Sequence, residues 1–364
     1  GFMYGRGTAD DKGPVIAALF AMKAIKDAGI TPKKTIKLIA GLDEETGKES
    51  AIHYREVASM PDFGITPDAD FPVINGEKGI LIFDIAQKLK KHTVKEGLIL
   101  SRVQGGLAAN AVPAHARAVL ASDDKAKYDE IIALVKSYRE ESGYDVTAKK
   151  TGTSLAVEAH GVAAHGSVPN KGLNAISILM QFLGKLELVG EEVTEFIDFY
   201  NDHIGFDLNG ERLECRFEDA PSGKVIVNVG TIDINDEVAT MKLNIRVPVT
   251  YENSAVLGGI ESVLGPNQGI VKGTDEKAIY VDPEDDFVKT LMEAYRDYSG
   301  DLESEPIVIG GGTYAKHFDG VLAFGGLFPW EDDCMHMKDE RISLDSYSKM
   351  AKIYASTVYK LCCK

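Results

Sequence analysis

Apolar positions recur along this chain at two periods, and the switches between them predict its elements. From Gly13 to Ala28, Val15, Ala18, Leu19, Met22 and Ile25 fall at helical spacing, with Thr8-Ala9-Asp10-Asp11 ahead of them and Gly29 behind. Lys33 and Lys34 lead into Thr35-Ile36-Lys37-Leu38-Ile39-Ala40-Gly41-Leu42, which is β-rich and partly alternating. It predicts a strand stopped by Asp43-Glu44-Glu45-Thr46-Gly47. Helix, strand, acidic turn and a further helix is the order of an α/β sheet, where functional groups gather beyond the carboxyl ends of strands.

From about Gly79 the pattern changes. Residues 80–86, 96–100, 118–121, 153–160, 225–232 and 238–247 read as strands; in the last, Met241, Leu243, Ile245 and Val247 alternate with Lys242, Asn244 and Arg246. Helices are predicted over Asp129 to Tyr138 and Asn174 to Leu188. After Asp282-Pro283 the helical period returns in Phe287 to Tyr298, followed by strand-like Ile307-Val308-Ile309 and the turn Gly310-Gly311-Gly312-Thr313. No repeat, low-complexity segment or Ser/Gly linker divides the chain. The reading is a discontinuous α/β domain, residues 1–79 and 280–364, interrupted by an α+β insertion over 80–279.

Composition narrows the class. The 364 residues carry 40 Lys+Arg against 56 Asp+Glu, a net charge of −16 that disfavours phosphate backbones and anionic membranes. No apolar run reaches the ~20 residues of a membrane helix. Cys215, Cys334, Cys362 and Cys363 have no paired spacing, which favours a reducing, cytoplasmic setting. The chain begins at Gly1 with no leader pattern before Phe2, so its start reads as internal.

The chemistry concentrates in carboxylates at turns: Asp10 and Asp11 before a helix, Glu44 and Glu45 after a strand, and Asp68 in Thr66-Pro67-Asp68-Ala69-Asp70-Phe71-Pro72. Such oxygen ligands suit divalent ions, and one carboxylate can bridge two of them; the plain alternative is helix capping and turn solvation. The stretch Gly5-Arg6-Gly7-Thr8-Ala9-Asp10-Asp11-Lys12-Gly13-Pro14, then Asp43-Glu44-Glu45-Thr46-Gly47, Pro67 to Gly79 and Met335-His336 resemble the dizinc M20 metallopeptidases. Within them the likeness is greatest to PepV-type bacterial dipeptidases, which cleave Xaa-His and other dipeptides. It extends from Gly1 to the C-terminus.

The resemblance implies a zinc-peptidase-like α/β fold with a mixed sheet flanked by helices and an inserted lid. It implies two zinc ions, with manganese or cobalt as substitutes, bridged by Asp10; Asp68 would bind one, and Glu45 with His336 the other. Glu44 would be the general base, and the Asp10-Asp11 peptide bond would be cis. Cys334 is a poor ligand for so carboxylate-rich a site. In the insertion, Gly105 to Pro113, Gly161 to Pro169 and Asn244 to Pro248 resemble lid motifs. By that likeness His165 would hydrogen-bond the oxyanion, while Asn110 and Arg246 would hold the substrate's C-terminal carboxylate. The turn holding Gly311 would approach the substrate with its backbone; it lacks phosphate-loop spacing, and a simple tight turn is the alternative.

The family also has a His-x-Asp motif some thirty residues before the bridging Asp, a count that passes Gly1, and no His precedes His53. The expectation is that this chain binds one of the two ions poorly and turns over little substrate. The function implied is a cytoplasmic, monomeric zinc dipeptidase acting on small peptides, with neither nucleic acid nor membrane as partner. An N-acyl amino acid deacylase of the same clan and a non-catalytic peptide-binding protein are the alternatives; a carboxylate-only glycosidase would not need His336.

Overall fold

The computed structural model describes every residue except Glu45, Thr46 and Lys48. Eight α-helices are present among the described residues: α1 (Lys12–Asp27), α2 (Glu49–Val57), α3 (Ala126–Ser142), α4 (Ala175–Leu183), α5 (Glu191–His203), α6 (Asn253–Val263), α7 (Asp286–Ser299) and α8 (Leu344–Val358). The residues divide into two compact units, Gly1–Lys78 with Ile279–Lys364, and Gly79–Ala278.

The first unit is built on a mixed sheet. Ile74–Glu77 pairs antiparallel with Ile279–Tyr280 and Val321–Ala323 and parallel with Ile307–Ile309; Val321–Ala323 in turn pairs parallel with Gly64–Thr66. Helices α1, α7 and α8 bury Ala17, Leu291, Tyr295, Met350, Ile353 and Tyr354 with Val73, Leu322 and Phe324 of the sheet region. Phe71 sits at the centre, its ring 4.6 Å from Phe328, 5.2 Å from Phe324 and 5.4 Å from Tyr295. Because Phe71 is three residues from Asp68, the aromatic cluster also anchors the loop bearing that acid. Phe71→Leu keeps an apolar side chain but loses the ring contacts, so about 1–3 kcal/mol of stability should be lost, read as a lower denaturant midpoint at unchanged slope.

The second unit is an eight-stranded antiparallel sheet. Its order is Gln268–Glu276, Gly79–Lys88, Val238–Val247, Ile226–Ile234, Ile99–Gly105, His115–Ala121, Ser154–His160 and Asp145–Thr151. One face packs against α3 to α6 through Ile131, Val135, Ile176, Leu179, Phe196, Val256 and Ile260. Helix α4 is apolar almost all round because it is buried all round. Its first turn is capped by Asn174, whose Oδ1 accepts from Ile176 N and Ser177 N at 2.9 and 3.4 Å.

Several expectations shift. Thr35 to Leu42 is not a strand: no described strand pairs with it, and Leu38 and Ile39 lie exposed. Alternation marks a segment able to join a ladder, but a ladder also needs a neighbour. The helix expected to reach Leu188 stops at Leu183, where the Gly184 N–H closes onto Met180 O. Residues 96–98 belong to a capped 3₁₀ turn and its exit, so the strand begins at Ile99. Among the described residues no helix is long and apolar enough to cross a membrane.

Candidate active site

The turn from Gly5 to Asp10 is organised by one buried carboxylate. Glu340 Oε1 accepts the backbone N–H groups of Gly7, Ala9 and Asp10 at 2.9, 3.0 and 3.2 Å, while its Oε2 meets Arg6 Nη1 at 2.7 Å. Burial pushes the Glu340 pKa up, but the three backbone donors and Arg6 outweigh it, so the group lies below its ordinary value. The Gly13 N–H donates to Gly7 O at 2.9 Å, and a Cβ on Gly13 would stand 2.1 Å from the Thr8 carbonyl oxygen. Only glycine allows α1 to start against this turn. Asp11 occupies the cap position of α1, yet its side chain makes no capping hydrogen bond. The Asp10-Asp11 peptide bond is cis.

Asp68 and His336 converge on Asp10, and Glu44 lies close to Asp68. Asp68 follows the Gly64–Thr66 strand at its carboxyl end; its pKa is raised to about 9, first by burial, then by the charges of Glu44, Asp11 and Asp10, and by a hydrogen bond with Asp10. His336 is held at a φ of +58°, a conformation few non-glycine residues adopt, and its Nε2 lies 2.7 Å from Asp10 Oδ2. Glu44 is half-buried and close enough for its charge to act on Asp68. Its neighbour Asp43 is structural: Oδ1 and Oδ2 accept from Ser50 N and Glu49 N at 3.1 and 2.5 Å at the start of α2. Glu45 lies outside the described residues. Cys334 Sγ engages the Arg341 backbone, donating to its carbonyl at 3.3 Å and accepting its N–H at 3.4 Å.

Gly311 lies in the turn between the Ile307–Ile309 strand and the 3₁₀ turn Tyr314–His317. That turn is pinned by buried Glu77, which accepts from Thr313 N at 3.1 Å and Thr313 Oγ1 at 2.7 Å. A Cβ on Gly311 would meet only the Ile309 side chain, at 3.4 Å.

In the second unit, the short strands Ala111–Val112 and Ala164–His165 pair with His165 opposite Ala111. Asn110 adjoins them: its side chain is exposed, and its carbonyl accepts the Gly166 N–H at 2.7 Å. His165 Nδ1 lies 2.6 Å from Ser167 Oγ and accepts the Ser167 N–H at 3.2 Å. Since a backbone N–H can only donate, the neutral ring carries its proton on Nε2. Burial and then the Arg246 charge lower the His165 pKa and favour that neutral form. Arg246 is 4 % exposed, its Nε has no hydrogen-bond partner among the described residues, and burial pulls its pKa to about 10 against the opposing charge of Glu276. A desolvated guanidinium with spare donors is suited to a carboxylate.

Sequence reading missed Glu340, Ser167 and Glu77. Ser167 has a local signal, two residues beyond His165, where serine readily bonds back to a neighbour. Glu340 has none, because its partners lie more than 300 positions away.

Four acids and an imidazole drawn together on an α/β scaffold make the first unit a candidate divalent-ion site of hard and borderline donors, Asp10, Asp68 and His336. A cation there would offset the mutual repulsion that raises Asp68, so the residues fit such an ion. Such a donor set on an α/β scaffold is suited to metal-assisted hydrolysis. The chain belongs to Peptidase family M20/M25/M40, whose model matches residues 1–360. It is 34 % identical over 362 residues to the Bacillus subtilis protein named "Putative dipeptidase YtjP", covering 99 % of this chain and 77 % of that one. A Staphylococcus epidermidis protein of like designation is 33 % identical over 360 residues, 98 % of this chain and 76 % of the relative. Among solved structures, a tripeptidase of Staphylococcus aureus superposes with a TM-score of 0.53 at 16 % identity, over 96 % of this chain and 70 % of that one. The aminopeptidase PepT of Bacillus cereus gives 0.50 at 13 %, over 98 % and 76 %. Both likenesses concern the fold.

Proposed function

We propose that the protein is a zinc-dependent dipeptidase that hydrolyses short peptides bearing a free C-terminal carboxylate. The observation that carries the reading is the gathering of Asp10, Asp11, Glu44 and Asp68 with His336 on Asp10. Asp10 with His336 and, by the family resemblance, Glu45 would hold one zinc ion, and Asp10 with Asp68 would hold a second weakly, with manganese or cobalt as substitutes. Bound there, zinc would polarise the scissile carbonyl and lower the pKa of the attacking water.

The remaining roles belong to the chain's own groups. Glu44 takes a proton from the water as its oxygen bonds to the carbonyl carbon, and delivers it to the amine nitrogen as the C–N bond breaks. His165 donates from Nε2 to the carbonyl oxygen as negative charge develops, and a lowered pKa keeps that donor in its neutral form. By the family resemblance, Arg246 and Asn110 would hold the C-terminal carboxylate, and the backbone at Gly311 would border the peptide. The setting we assign is a monomer in the cytoplasm, acting on peptides supplied by earlier proteolysis.

The clan also contains deacylases, so the test compares leaving groups. Zinc-loaded protein should release amino acids from Xaa-His and other dipeptides and leave N-acetyl and N-succinyl amino acids intact. Exclusive deacylation would replace this reading with the deacylase, and saturable peptide binding without turnover would replace it with a binding protein.

A further inference from the structure

A second set of metal-ligating side chains lies on the open face of the eight-stranded sheet, within the second unit. His115 and His160 are register partners on neighbouring strands, and Arg117 and Glu158 form the next pair on the same face. The opposite face of the His115–Ala121 strand carries buried Ala116, Ala118 and Leu120, which leaves His115 and Arg117 towards solvent. The two imidazoles are 5.2 Å apart between centroids. Glu158 divides its oxygens: Oε1 is 3.5 Å from Arg117 Nε, and Oε2 is 3.9 Å from His115 Nε2. One nitrogen from each ring and one Glu158 oxygen all lie within 4.8 Å of one another.

We propose that His115, Glu158 and His160 form a site for a divalent transition-metal ion of the zinc, nickel and copper class. Two imidazoles and one carboxylate are the donor set these ions take, with positions left for water, whereas calcium and magnesium require more oxygens. Tetrahedral ligands at bond lengths near 2.0–2.1 Å sit about 3.3 Å apart, so the site closes by side-chain rotation. Such rotation is open to His115, whose side chain is 51 % exposed. Arg117 holds one Glu158 oxygen and so presents the other to the rings, while its charge weakens the site. An ion here ties His115–Ala121 to Ser154–His160 at the base of the ribbon that carries His165: Ala111–Val112 precedes one strand, and Ala164–His165 follows the other. The site stands on these contacts, independently of the reaction proposed above.

Copper(II) is the probe, because it binds such donors most tightly of the series. In the His336→Ala chain, which removes the imidazole from the carboxylate cluster, one equivalent should bind with electron-paramagnetic hyperfine coupling to two nitrogens. Adding His115→Ala and His160→Ala should abolish that signal. Adding Glu158→Gln instead should keep both nitrogens and weaken binding about tenfold, whereas Arg117→Gln should tighten it about threefold. In the unsubstituted chain, zinc should shift the imidazole resonances of His115 and His160 together, which needs no variant to fold. A two-nitrogen signal that survives loss of both histidines, or zinc shifts that spare both rings, would overturn the proposal.

Discussion

Glu44→Gln is expected to lower kcat for dipeptide hydrolysis about a thousandfold, within the range set by loss of a positioned general base, with KM and zinc stoichiometry within about twofold of the parent. Gln keeps the size and polarity of the half-buried Glu44 side chain, and the neighbouring Asp43 keeps its hydrogen bonds from Glu49 N and Ser50 N. What is lost is a basic oxygen that accepts a proton in the transition state and returns it to the leaving amine. The loss should therefore fall on kcat and kcat/KM alike, the mark of an interaction made only in the transition state. In the metal-free chain Glu44 also raises the pKa of Asp68, so its neutralisation should lower that value. Retained turnover with unchanged metal content would remove Glu44 from the base role, and lost zinc would mean that the side chain holds the ion instead.

The acids of this cluster are legible in the sequence because they sit at punctuation marks. Asp10 precedes a helix, and Asp68 follows a strand beside Pro67, where a sheet presents its functional groups. The apolar periods likewise mark α1, α3 and α7, with ends off by a few residues where capping and fraying decide. Helix α8 escapes because Ser346 and Thr357 occupy buried positions on its inner face and dilute the stripe formed by Met350, Ile353 and Tyr354. Strand Asp145–Thr151 escapes for the opposite reason: as an edge strand it is largely exposed, and Lys149 and Lys150 blunt its pattern. The segment Thr35 to Leu42 reads as a strand and is not one, since alternation is a local property and pairing is not. Glu340 lies beyond local signals altogether, because folding alone brings its carboxylate beneath Asp10.

Glu340→Ala should destabilise the protein by about 1–3 kcal/mol, the cost typical of leaving buried backbone donors without their acceptor, since the Arg6 side chain is itself exposed. Three backbone N–H groups, on Gly7, Ala9 and Asp10, would lose their acceptor at once, and the Arg6 guanidinium its counter-charge. Because those donors fix the turn that aims Asp10, zinc affinity and kcat should fall by at least tenfold even where the variant remains folded, a displacement of order 1 Å being enough. Glu340→Gln, which keeps one carbonyl acceptor, should recover part of the stability. The pH dependence has a definite sign. The folded-state pKa of Glu340 lies below its ordinary value of 4.5, so its contribution is fully present above that value and is lost as pH falls through the folded-state pKa. The stability gap between parent and Glu340→Ala should accordingly be constant near neutrality and narrow below about pH 4.5, measured by denaturant titration at each pH. A gap that widened in acid, or a variant with unchanged midpoint and zinc affinity, would show that the turn holds Asp10 without this carboxylate.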